Sequence, residues 1–266
     1  MNTSLLNWCG SALVAIFLVG GLIIDTKALP KPKKLLVVSV TKGYKHQSIP
    51  VAEKVIQQLG ERSGSFTVDY ARTDEELAAK MTATALQNYD GVLFASPTGE
   101  LPLPDLDGFL NWIKSGHAFI GIHAATDTLQ AHPNYIEMIG GEFLAHGPQL
   151  KVVINIDDAK HASTENFDKT YEIFDEIYTF KNFDRNKVHT LLSVNKNPNK
   201  NDKENFEKTG YYPLAWCRNY GKGRVFYTAL GHREDVLVSD MFQKHLLGGI
   251  QWAFKQAKGS ATPQTK

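Results

Sequence analysis

Short apolar runs alternate with stretches of helical spacing through the first half of the chain. Leu35 to Val40 is a β-branched apolar run of strand length. Val51, Val55, Ile56 and Leu59 share one face of a helix over Ser48 to Gly60. Phe66 to Tyr70 alternates as a second strand, and Asp74 to Leu86 predicts a helix capped by Thr73. GVLFA over 91–95 and AFIGI over 118–122 read as two more buried strands. Between them, Pro102 to Ser115 contains a helix bearing Phe109, Leu110, Trp112 and Ile113. Short apolar strands separated by helices predict parallel βαβ units, whose right-handed crossovers put helices on both faces of the sheet.

The second half has a different rhythm. Leu150 to Ile156, Tyr171 to Phe180 and Lys187 to Val194 are strand-like with few helices between them. Leu214 to Arg218 and Arg224 to Leu230 flank Asn219-Tyr220-Gly221-Lys222-Gly223, which reads as a hairpin turn. The polar stretch 195–208 predicts a loop, Ser239 to Gln256 an amphipathic closing helix, and residues 258–266 a disordered polar tail.

The start of the chain stands outside this pattern. Residues 1–24 have no charged side chain, and Ala12 to Ile24 is unbroken apolar or glycine. Residues 1–28 read as an export signal cleaved after Ala28, which makes the protein periplasmic or extracellular. The competing reading is an uncleaved membrane tether through residues 5–24, held by Lys27, Lys31, Lys33 and Lys34 on its far side. The folded domain is then expected over 33–257.

Composition removes several function classes. The chain has 266 residues with 29 Lys plus Arg against 28 Asp plus Glu, so no basic excess points to nucleic acid. Two cysteines, of which Cys9 precedes the predicted domain, exclude a disulfide framework and a cysteine-rich zinc module. The oligomeric state is not legible. Gly221-Lys222-Gly223-Arg224 lacks the strand-turn-helix context of a phosphate loop and reads as a turn.

Ligands of open parallel sheets bind beyond the carboxyl ends of the strands. The residues following the predicted strands are Thr41 to His46, Ser96 to Glu100, His123 to Asp127 and Gly231 to Asp235. That edge gathers His46, His123 and His232, three of nine histidines. Imidazole exchanges protons near neutral pH and is the commonest metal ligand. The three are therefore candidates for acid/base work or for holding a divalent metal such as zinc, with Asp127, Glu100, Glu142 and Glu234 as accompanying carboxylates. His146 sits in a predicted helix-to-strand loop, which belongs at the opposite edge, so it is a weaker candidate. His123 stands where a nucleophile elbow carries Ser or Cys. Tyr44, Tyr178 and Trp216 are candidates for stacking against a sugar ring, and Cys217 reads as a buried thiol.

These segments resemble the trehalose-utilisation (ThuA-like) family. The resemblance rests on Thr41-Lys-Gly-Tyr-Lys-His46, Gly121-Ile-His-Ala-Ala-Thr-Asp127, Gly140-Gly-Glu-Phe-Leu-Ala-His146, Asp175-Glu-Ile-Tyr178, Pro213-Leu-Ala-Trp216 and Tyr220 to His232, in the family's order. It implies a flavodoxin-like α/β fold, the three-layer sandwich of class I glutamine amidotransferases, with a mostly parallel sheet and added antiparallel strands. Because His123 replaces the amidotransferase cysteine, glutaminase activity is not expected. The resemblance further implies a carbohydrate partner and an enzyme acting on keto-sugars or glycosides as an isomerase, lyase or hydrolase. In that reading His123 is the base, oriented by Asp127, and His232 or His46 is the acid or a metal ligand. Glu100, His146, Tyr44, Tyr178 and Trp216 contact the sugar. Two alternatives stay open: a non-catalytic carbohydrate-binding domain, and a metal-dependent hydrolase of another substrate.

Overall fold

The alternation of the first half becomes, in the computed structural model, β1 (Lys33–Val38), α1 (Ile49–Ser63), β2 (Phe66–Ala71), α2 (Asp74–Lys80), α3 (Ala83–Leu86), β3 (Gly91–Ala95), α4 (Leu106–Lys114) and β4 (Ala118–Ile122). A 3-10 turn (His123–Asp127) and α5 (Pro133–Ile139) follow. The second half contributes β5 (Glu142–His146), β6 (Leu150–Ile156), β7 (Thr170–Asp175), β8 (Tyr178–Lys181), β9 (His189–Lys196), β10 (Thr209–Tyr220) and β11 (Gly223–Thr228). The chain closes with α6 (Glu234–Val238) and α7 (Asp240–Ala253). The structure describes residue 1, residues 31–205 and residues 208–264. Apart from Met1, the segment read as an export signal or tether lies outside the described residues up to Pro30. Among the described residues no helix is long and apolar enough to cross a membrane.

Among the described residues nine strands form one sheet in the order β2-β1-β3-β4-β11-β10-β9-β6-β7. β2, β1, β3, β4 and β11 run parallel to one another, and β10, β9, β6 and β7 extend the sheet from β11 with antiparallel pairings. The central strands alternate their side chains into two cores, as parallel strands covered on both faces must. Leu35, Val37, Leu93 and Ile120 pack with Ile56, Leu246 and Ile250 of α1 and α7. Leu36, Val38, Phe94 and Phe119 pack with Leu77, Phe109, Trp112 and Tyr135 on the other side. This is the three-layer α/β sandwich of the flavodoxin-like type.

Three local differences from the sequence reading have identifiable causes. The helix expected over Asp74 to Leu86 is two, because two threonines each start a turn. Thr73 accepts from Glu76 N and Thr82 accepts from Ala85 N. The strand expected over Tyr171 to Phe180 is also two. β7 joins the edge of the large sheet while β8 pairs with β5 in a separate ribbon. The break falls at Asp175-Glu176, whose carboxylates are committed elsewhere.

The third difference corrects the disordered tail over residues 258–264; residues 265 and 266 lie outside the described residues. Ala162 N donates to Lys258 O, Trp252 Nε1 to Gly259 O (3.0 Å), the Cys217 thiol to Ser260 O (3.4 Å) and His189 Nδ1 to Thr262 O (2.6 Å). Backbone carbonyls fasten this segment, so its polar side chains gave no sign of it.

Beside this strap, His245 of α7 is fully buried. Its Nδ1 donates to Ser163 O at 2.9 Å, and its Nε2 is buried without a hydrogen-bond partner. Burial lowers its pKa to about 4. The unfolded chain takes this proton near the ordinary value of about 6.5. Stability is therefore lost as pH falls from about 6.5 towards 4, by about 3 kcal/mol for this group. Denaturant midpoints between pH 7 and pH 4.5 are expected to fall more steeply in the parent protein than in His245→Leu.

Candidate functional site

The parallel strands end level with one another. Ala95 of β3 and Thr228 of β11 both lie beside Ile122 of β4. The loops leaving that edge carry His46, His123 and His232 together.

His123 follows β4 directly and has φ +46°, a conformation disfavoured for any residue with a Cβ. The surroundings hold it there. The Tyr227 hydroxyl donates to His123 O at 2.7 Å, and His123 Nδ1 lies 2.8 Å from Ala229 O. A carbonyl only accepts, so Nδ1 carries a proton and Nε2 is the nitrogen that faces the site. This orientation by a backbone carbonyl is a common support for a metal-binding imidazole.

His46 is set by the loop after β1. Lys42 N and Gly43 N donate to Thr98 O, and the Thr98 hydroxyl donates to Tyr44 O. The His46 ring meets the rings of His123 and His232 edge-on at 4.9 and 5.4 Å. Burial first, then the neighbouring His123 and His232, lowers its pKa to about 3. His46 is thus neutral, and its Nδ1 is buried without a hydrogen-bond partner.

His232 follows Gly231, whose φ of +106° suits glycine alone. The loop is tied down by Asp175, which is fully buried. Its carboxylate accepts from Gly231 N (2.8 Å), Arg233 N (3.2 Å) and Glu176 N (3.0 Å). One carboxylate therefore fixes the loop carrying His232 against the segment carrying Glu176.

Glu176 occupies the centre. Its Oε2 lies 3.2 Å from His232 Nδ1 and 3.5 Å from His123 Nε2, and its Oε1 lies 3.1 Å from His146 Nδ1. His232 Nδ1 and His123 Nε2 are 3.2 Å apart. Burial pushes the Glu176 carboxyl up, but the facing imidazoles of His123 and His232 outweigh it and hold it well below the ordinary carboxylate range. The bond to Glu176 in turn raises His232 against the effect of burial.

One ligand atom each from His46, His123, Glu176 and His232 lies within 4.8 Å of the others. Three of them form a triangle with sides of 3.2, 3.2 and 3.5 Å. A tetrahedral zinc site with bonds of about 2.0–2.1 Å has edges of roughly 3.3 Å. Three nitrogens and one carboxylate oxygen, one nitrogen being an orphaned buried atom, fit such an ion.

The candidates separate as follows. His46, His123 and His232 come together. His146 joins them, and the expectation of an opposite-edge loop is corrected: it ends β5, which leaves the main sheet and pairs with β8, setting His146 opposite Tyr178. Asp127 is near His123 and half-buried, and burial raises its carboxyl despite the opposing charges of His123 and His146. It is not the group that orients His123, since Ala229 O does so. Tyr44 is 64 % exposed and edge-on to His46, open to a ligand.

Tyr178 is 2 % exposed and packs its ring 4.2 Å from that of His123, a supporting wall rather than a ligand face. Glu100 accepts from Ala131 N and faces His132 at 3.3 Å, away from the imidazole cluster. Trp216 is fully buried, donates to Ile139 O at 2.7 Å and packs against Tyr227. Its role is core packing. Sequence reasoning missed Glu176 and Asp175. The available signal was the pair of adjacent carboxylates interrupting an apolar strand pattern.

A family model described as trehalose utilisation, ThuA, matches residues 34–253. No curated protein matches the chain. A solved ThuA-like protein of Parabacteroides merdae is 20 % identical with a TM-score of 0.70, covering 87 % of this chain and 93 % of its own. One from Bacteroides uniformis is 19 % identical with a TM-score of 0.67, covering 91 % and 99 %. A cytoplasmic protein of Salmonella typhimurium is 14 % identical with a TM-score of 0.58, covering 83 % and 99 %. At these identities the likeness is one of fold.

Proposed function

This chain belongs to the trehalose-utilisation (ThuA) family, and from that premise we propose that it is an enzyme of disaccharide breakdown acting on a 3-keto glycoside. The observation that carries the reading is the triangle of His123 Nε2, His232 Nδ1 and Glu176 Oε2 with His46 beside it. Imidazoles directed at one another around a carboxylate supply proton-exchanging and metal-holding groups that passive sugar binding does not need.

These four residues would hold a divalent metal such as zinc. When bound, such an ion polarises a sugar carbonyl and stabilises the negative charge that develops on its oxygen. A ketone at C3 acidifies the proton at C2. Asp127, half-buried beside His123, is the group we assign to take it. The C2–H bond breaks, the proton passes to the Asp127 carboxylate, and the electron pair enters the enolate. The enolate re-forms the ketone by making the C1–C2 double bond and expelling the glycosidic oxygen, which takes the proton back as the leaving alcohol. Proton transfer by a placed group contributes about 10²–10⁴-fold. The Tyr178 ring, 4.2 Å from that of His123, covers one side of the imidazole.

The test is an NMR time course of the zinc-loaded protein with a 3-keto disaccharide. Loss of the C2 proton and release of the leaving sugar are expected, and His123→Ala is expected to lose at least about 100-fold of that rate. An unchanged spectrum with folded, metal-loaded protein would overturn the reading in favour of a binding domain.

A further inference from the structure

Beside the imidazole cluster, and sharing His232 with it, lies a recess of about 390 Å³ between the start of α1 and the loop before α6. Tyr44, Gln47, Ser48 and Gln149 line one part, and Arg233, Glu234 and Asp235 the other. The mechanism above uses none of these seven residues.

The start of α1 and the buried hydroxyl of Ser48 together make this recess a built site. Ser48 stands at the N-cap of the fifteen-residue α1, yet its backbone is helical (φ −73°, ψ −10°) and its side chain makes no capping bond. Pro50 in the first turn supplies no N–H, and no acidic side chain is present there. The positive end of this helix therefore has no anionic partner of its own. Ser48 is 2 % exposed and its Oγ is buried without a hydrogen-bond partner. A buried hydroxyl left unpaired is costly, and this one lines the recess.

The charges identify what fits. Arg233 forks onto Asp235 through Nε (2.8 Å) and Nη2 (2.7 Å), so the two cancel. Its Nη1 donates to Gln149 Oε1 at 2.6 Å. That occupies the Gln149 carbonyl and leaves its amide N–H to the recess. Glu234 on the rim and Glu176 beyond His232 both repel an anion. The remaining groups are a hydroxyl, two amides and the exposed ring of Tyr44, which bind oxygens without needing charge.

We infer that this recess holds an uncharged, hydroxyl-rich ring, the sugar of a disaccharide that is not chemically changed. Ser48 Oγ and the Gln149 amide take its hydroxyls, Tyr44 covers its face, and the ring bonded to it lies over the cluster. The inference rests on the proposed sugar chemistry and names the part of the site that selects the substrate. A volume near the lower bound of ligand pockets suits one ring and not a polymer.

Calorimetric titration of the zinc-loaded protein with trehalose and with trehalose 6-phosphate tests it, with Ser48→Ala and Gln149→Ala as variants. Both variants are expected to keep their zinc, measured by elemental analysis, and to bind trehalose about three- to tenfold more weakly, the loss of one hydrogen bond each. Equal trehalose affinity in parent and variants overturns the subsite and leaves the proposed function standing. Tighter binding of the phosphate overturns the uncharged ligand. No binding of either sugar to the parent protein overturns the carbohydrate reading itself, and the subsite with it.

Discussion

Glu176→Gln is expected to lower zinc affinity by at least about 100-fold and turnover of a 3-keto disaccharide by a comparable factor or more. The substitution keeps the shape and the hydrogen-bonding reach but removes the one anion among the four donors. Glu176 Oε2 closes a triangle with His123 and His232, and its other oxygen holds His146. A neutral amide leaves three imidazoles facing a dication with no charge to offset it. Losing a supporting partner costs about 10–100-fold in affinity, and losing a direct ligand costs more. Competition against a chromophoric chelator measures the first quantity and the NMR assay the second. His46→Ala, which removes a ligand but not the charge, is expected to be milder in zinc affinity. Parent-like zinc affinity in Glu176→Gln would show that this cluster is not the metal site, and the proposed mechanism would fall with it.

The three histidines were legible in the sequence because each directly follows a buried strand, and parallel strands all end at one edge. His123 after AFIGI is the clearest case. Glu176 was not legible for a specific reason. It lies between two strands that the apolar pattern fuses into one, and only the pairing of β8 with β5 shows that the chain leaves the main sheet there. The same ribbon delivers His146, which local pattern assigned to the wrong edge. Trp216 failed in the other direction. An aromatic in a strand signals burial and stacking equally well, and only the bond from its indole to Ile139 O decides for the core. The helices and central strands depend on local spacing and were readable. The site's carboxylates and the C-terminal strap depend on hydrogen bonds between residues distant in sequence, which hydropathy does not encode; the break between α2 and α3 rests on the local cap of Thr82.

Asp175→Asn is expected to separate positioning from folding. The Asp175 side chain touches none of the atoms that would bind the metal; its contact with Glu176 is to the backbone N–H. It accepts three backbone N–H groups, two of them from the loop that carries His232. An amide of the same size can accept at one oxygen only, and its own N–H₂ faces the remaining donors. Hydrogen bonds to a charged acceptor contribute about 1.5–3 kcal/mol each, and a buried donor left unpaired costs about 1–3 kcal/mol. A global loss of about 2–4 kcal/mol is therefore expected in the denaturant midpoint. That loss alone would report only a structural residue. The distinguishing readout is the cobalt-substituted protein, whose visible spectrum reports the ligand arrangement. In Asp175→Asn, measured where the chain is fully folded, the spectrum is expected to change and metal affinity to fall about 10–100-fold, the usual effect of removing a group that orients a ligand. An unchanged spectrum and affinity in the folded variant would confine Asp175 to stability. It would also show that His232 is held in place by its contacts with Glu176 and His123 alone.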